Sequence, residues 1–140
     1  MKTSVHLLAS LVFAALLYPI FNWKVIFILV GGVLIDVDHY LWYIYKYKKF
    51  NIIDSYKFYI KNIKMDDFTN VLGILLIFHT IEFLLVALFL SFYIDFILLF
   101  TMGLLIHHLL DLIWLYSVPK RFIVNHSIIL WLIKNQIQKI

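Results

Sequence analysis

The chain is built from long apolar runs, with its charges gathered between them. Residues 4–21, 24–45, 70–93 and 96–117 are such runs. A helix needs roughly 20 mostly apolar residues to cross hydrocarbon, and in lipid every backbone N–H and C=O must be satisfied within the protein. That pattern leaves little room for anything but a polytopic helical membrane protein. Composition agrees, with 64% hydrophobic and 14% charged residues in 140. One soluble core of this size could not hide so many large apolar side chains.

The expected fold is therefore all-α, a single transmembrane domain over residues 1–140 with four transmembrane helices at the ranges above. Lys2 before the first run also suits a signal peptide. The basic stretch is thin, however, and no small-x-small cleavage site follows, so a span is expected there. Residues 46–69 carry six lysines (46, 48, 49, 57, 61, 64) and three aspartates (54, 66, 67). On a helical wheel Ile52, Ile53, Tyr56, Tyr59, Ile60 and Ile63 share one side, and Asp54, Lys57, Lys61 and Lys64 the other. This predicts an interfacial amphipathic helix over about 50–66, lying on an anionic leaflet. The tail, 122–140, has an apolar run to Ile133 that is short for a crossing and predicts a short C-terminal interfacial helix.

Four spans place Lys2, the lysine-rich segment and Lys120/Arg121 on one side, with Lys24 and Asp95 on the other. The positive-inside rule then makes both termini cytoplasmic, in a protein of the cytoplasmic membrane. The net charge of +4 is weak ground for a nucleic-acid partner, because the lysines flank apolar runs. Membrane lipids and a divalent metal are the expected partners. With no cysteine there is no disulfide and no thiolate site, so a metal would fall to His, Asp and Glu.

The polar residues within the runs carry the chemistry. Asp36, Asp38, Glu82 and Asp111 lie in spans, as do His6, His39, His79, His107 and His108. No lysine or arginine lies well inside a span to neutralise the acids. Buried carboxylates without a basic partner are protonated or meet a metal cation. Asp36 and His39 are three apart, as are His79 and Glu82; His107 and Asp111 are four apart. Each pair shares a helix face. Gly103, His107 and Asp111 form one stripe, where the glycine lets another helix approach. Asp36 and Asp38 are about 200° apart on an ideal helix. Both can face inward only if the helix is distorted, and Gly31-Gly32 is a plausible cause.

At 1.5 Å per residue His79, His107, Asp111 and the Asp36–His39 group fall roughly 5–15 Å inside the cytoplasmic face, and His6 sits near that face. The predicted ligands are His6, Asp36, Asp38, His39, His79, Glu82, His107 and Asp111. Asp38 and Glu82 are the candidate catalytic carboxylates, Glu82 as ligand or general base. His108 is expected to pack or to hydrogen-bond behind a ligand, and His126 to lie at the surface. Imidazole with carboxylate suits zinc first, with manganese or iron as alternatives, in a mononuclear or dinuclear site.

The sequence resembles a family of membrane-bound, metal-dependent hydrolases, the YdjM-like, LexA-regulated inner-membrane group. The resemblance rests on Val5-His6-Leu7-Leu8, Leu34-Ile35-Asp36-Val37-Asp38-His39, Phe78-His79-Thr80 and the Gly103-x3-His107-x3-Asp111 element. It covers residues 4 to about 120. Ile35 stands where the family has proline, and Ile74 and Leu75 stand near the place of its His-Arg pair. The resemblance implies a metal-dependent hydrolase, and the depth of the site, just below the cytoplasmic interface, suits a phosphoester of a lipid or other amphiphile. The alternatives are a metal-binding or ion-handling protein without hydrolysis, and a scaffold whose polar groups only lock helices together. The apolar outer halves of the spans argue against a pathway across the membrane. Neutral polar groups would suffice for a scaffold.

Overall fold

A computed structural model describes residues 2–65, 74–117 and 124–137. Among the described residues the regular structure is helical, apart from one two-residue parallel pair, Ile74–Leu75 (β1) with Val124–Asn125 (β2). Helix α1 spans Thr3–Phe21 and ends where Asn22 takes a positive φ of 51°. Asparagine tolerates that region better than most residues. A 3₁₀ turn over Asn22–Val25 then reverses the chain into α2, Ile26–Val33. The two helices run antiparallel, so Ser10 meets Gly32 and Thr3 reaches Asp36.

Helix α2 does not continue smoothly. A second 3₁₀ turn, Leu34–Asp36, separates it from α3, Val37–Tyr47. Lys48 closes α3 in the left-handed region, with its N–H on the Ile44 carbonyl. Asn51 then caps α4, Ile52–Met65, its Oδ1 accepting from the Ile53 and Asp54 N–H groups.

The third apolar run departs from expectation. The sequence predicts a helix over 70–93. Among the described residues, helix α5 covers only Ile81–Ser91, after a 3₁₀ turn at Ile77–His79. Thr80 starts α5 by accepting the Phe83 N–H on its side chain. Upstream of the 3₁₀ turn, Ile74–Leu75 is held instead by its pairing with β2, and the Ile81 N–H at the start of α5 donates to the His126 carbonyl. Residues 66–73, with Asp66 and Asp67, lie outside the described residues, as do Pro119, Lys120 and Arg121. Helix α6 is the longest, Asp95–Ser117, and α7 covers Ile128–Ile137.

Helices α2 and α6 are the closest pair, and glycine makes this possible. A Cβ on Gly31 would collide with the Phe100 carbonyl, and one on Gly103 with the Ile28 carbonyl. Beside this contact Ile35, Ala87 and Leu104 form a small core with Phe78, Phe83, Leu84 and Phe100. Thr101 donates to the Ala87 carbonyl at 3.1 Å, tying α6 to α5.

Two helical stretches, 3–47 and 95–116, are long and apolar enough to cross a membrane by length and composition, each with mean hydropathy 2.0. The first is folded back on itself at Asn22. In both, only 28% of the most apolar window is buried, so most of that apolar surface faces outward. Helix α5 is apolar but, at 11 residues, is shorter than a crossing.

Candidate metal centre

Four atoms from three parts of the chain converge at one end of the bundle. His79 is carried by the 3₁₀ turn before α5, and Asp36 ends the 3₁₀ turn before α3. His107 and Asp111 sit one turn apart on α6. His79 Nε2 lies 3.1 Å from His107 Nε2. Asp36 Oδ1 lies 3.6 Å from the first nitrogen and 3.5 Å from the second. Asp111 Oδ2 lies 3.8 Å and 3.2 Å from the same two.

The remaining atoms of these side chains determine what the cluster can do. His107 Nδ1 is 2.9 Å from the Gly32 carbonyl oxygen, which can only accept, so Nδ1 carries the proton. His79 Nδ1 faces Asp38 Oδ2 at 3.0 Å and donates to it. Both imidazoles thereby turn a basic Nε2 towards the other. Two lone pairs 3.1 Å apart need a positive charge between them, either a proton or a metal ion. Two further carboxylate oxygens lie 3.2–3.8 Å from these nitrogens and complement either cation. Tetrahedral ligands bound at about 2.0–2.1 Å stand about 3.3 Å from each other, and the five separations here run from 3.1 to 3.8 Å. The groups Asp36–His79–His107 and His6–His107–Asp111 could each hold a metal ion.

The hydrogen bonds behind these donors resemble the outer partners that usually orient metal ligands. Asp38 accepts from His79 and from the Phe78 N–H at 3.2 Å. Thr3 donates to Asp36 Oδ2 at 3.1 Å and leaves Oδ1 turned to the cluster. Burial is nearly complete at His107, 0% exposed, and at His79, 7%.

Two further groups adjoin the centre. His6 on α1, 1% exposed, stacks on His107 at 3.8 Å between ring centroids and places Nε2 3.2 Å from Asp111 Oδ1. His39 lies on the other flank, with Nε2 3.8 Å from Asp36 Oδ1. The possible ligand groups are thus His6–His107–Asp111, Asp36–His79–His107 and Asp38–His39–His79. His6 Nδ1, Asp38 Oδ1 and His39 Nδ1 are buried and have no hydrogen-bond partner among the described residues.

Seven of the eight predicted ligands are brought together; Glu82 is not. Its carboxylate caps the N-terminus of α7. Oε1 accepts from Ser127 Oγ at 2.6 Å and from the Ile129 N–H at 3.3 Å, and Oε2 from the Ile128 N–H at 3.1 Å. A residue three positions from His79 would share its face on a continuous helix. Here the helix starts only at Ile81, so the shared face never forms. His108 donates Nδ1 to the Leu104 carbonyl at 2.8 Å. His126 is exposed.

Sequence reasoning missed three contributors. Thr3 and the Gly32 carbonyl carry no signal readable without the helix pairing. Tyr59 was placed on the lipid-facing side of its helix. It instead donates to the His39 carbonyl at 2.9 Å and sets its ring edge-on to the His39 ring. Burial, then the nearby Asp38, pushes its phenol well above the usual tyrosine range, so it stays a donor.

No family model, no curated protein and no solved structure matches this chain.

Proposed function

We propose that the chain is a membrane-embedded, metal-dependent hydrolase with its centre near the cytoplasmic face. The supporting observation is the approach of His79 Nε2 to His107 Nε2, with both Nδ1 atoms already committed to acceptors and one oxygen each of Asp36 and Asp111 within 3.8 Å of both nitrogens. In this reading α1, α2–α3, the run ending in α5, and α6 are four membrane crossings with both termini cytoplasmic. Lys24 and Asp95, 4.0 Å apart, mark the opposite end.

Asp36, His79, His107 and Asp111 would hold the ion, zinc first and manganese or iron as alternatives. Asp111 reaches His6 with its second oxygen, which suits a second ion on that flank. A divalent ion there supplies Lewis acidity, bringing the pKa of water towards neutrality and polarising an ester oxygen. The chain's own residues orient and exclude. Asp38 and the Gly32 carbonyl fix the two imidazoles, and Thr3 fixes Asp36. Asp38 Oδ1, unpartnered, is the carboxylate available to accept a proton. A site this close to the interface suits an amphiphilic phosphoester. The Asp-x-Asp-His and Gly-x3-His-x3-Asp elements, which resemble the YdjM-like hydrolases, support the same reading.

Metal analysis of the protein purified in detergent tests it, with Asp36→Asn and His107→Ala alongside. Stoichiometric metal in the wild type, lost in both variants, is expected. A metal-free wild type of unchanged stability would sink the proposal. With metal present, phosphoester turnover separates a hydrolase from an ion-handling protein, for which uptake into sealed vesicles is the converse assay.

A further inference from the structure

Helix α4 has three sectors rather than two. Ser55, Phe58 and Tyr59 face the protein, where Phe58 packs among Trp42, Tyr43 and Tyr47 of α3. Ile52, Ile53 and Tyr56 point away and are 65%, 59% and 54% exposed. Lys57 and Lys61, also exposed, follow about a quarter-turn further round, and Asp54 stands further still from the apolar sector. Water would be a poor surround for the second sector, and no other described segment covers it.

We propose that α4 is a docking surface for anionic phospholipid in the leaflet nearest the metal centre. Ile52, Ile53 and Tyr56 enter among the acyl chains, and Lys57 and Lys61 take the lipid phosphates. Charge complementarity selects this occupant. The helix carries its cations at the rim of an apolar strip, which is where phosphates stand relative to acyl chains. The contact of Tyr59 with His39 ties this surface to the centre, so docking sets the level at which lipid headgroups meet the site. The inference rests on the membrane reading above but not on hydrolysis.

The absence of cysteine makes single-cysteine labelling free of background. Tyr56→Cys and Lys61→Cys, each spin-labelled in the full-length protein, are compared in discs of phosphatidylcholine with and without phosphatidylglycerol. With anionic lipid, the label at 56 should be reached by oxygen and shielded from a water-soluble nickel chelate, and the label at 61 the reverse. Adding Lys57→Gln and Lys61→Gln to the Tyr56→Cys protein should lower the docked-to-undocked ratio about ten-fold or more. Nickel access at 56 in both lipids would overturn the proposal. So would shielding that ignores lipid charge, or dipolar coupling between labels, which would mean that a second copy covers the face. His107→Ala should leave the label depths unchanged, so a failed metal reading and a failed docking surface give different results.

Discussion

At His79 and His107 the decisive detail is which nitrogen faces inward. Asp38 and the Gly32 carbonyl claim the Nδ1 protons and leave the two Nε2 lone pairs opposed. In the proposed centre Asp38 would therefore act on an ion largely through His79. Asp38→Asn should weaken metal affinity about 10–100-fold, whereas His107→Ala should abolish stoichiometric binding. Competition against a chelator of known affinity ranks the two. Equal losses would make Asp38 a direct ligand. The histidines and aspartates were legible as a set because acids inside apolar runs without basic partners are costly. Their division into donors and orienters was not, because it depends on atoms contributed by other helices.

Glu82 and the glycines belong to the scale of elements. Glu82 ties α7 to α5, and the paired β1 and β2 tie the same segments on the other side of His79. The C-terminal segment thus supplies partners to an irregular stretch that has no helix of its own to satisfy it. Glu82→Ala should speed hydrogen exchange at Ile128 and Ile129 while metal stoichiometry holds. Loss of metal in that variant would restore Glu82 as a ligand. Gly103 tests the helix contact. A methyl there meets the Ile28 backbone carbonyl, which cannot turn aside as a side chain could. Gly103→Ala should cost about 1–3 kcal/mol in detergent unfolding. Leu109→Ala, on the exposed side of α6, should change stability by about 0.5 kcal/mol or less.

For the whole molecule, the Lys24–Asp95 pair sits at the N-terminal end of α6, and His107 lies about 18 Å further along the helix axis. The four-crossing reading puts the two ends of α6 on opposite sides of the membrane. Cysteines placed singly at Lys24 and at Lys48 should then react with an impermeant maleimide from opposite sides of sealed vesicles. Labelling of both from one side would rule that topology out.

The sequence alone established a helical chain unsuited to one soluble core, the amphipathic character of about 50–66, and the list of acids and histidines needing a counter-charge. Those follow from composition and period, which act locally along the chain. Only the tertiary structure decided how Asp36 and Asp38 come to serve one centre: the 3₁₀ turn at Leu34–Asp36 breaks the helix without the proline that could have announced it. It also sent Glu82 to α7 and turned Tyr59 inward. Each of these outcomes depends on a partner distant in sequence, and local periodicity carries no record of such a partner.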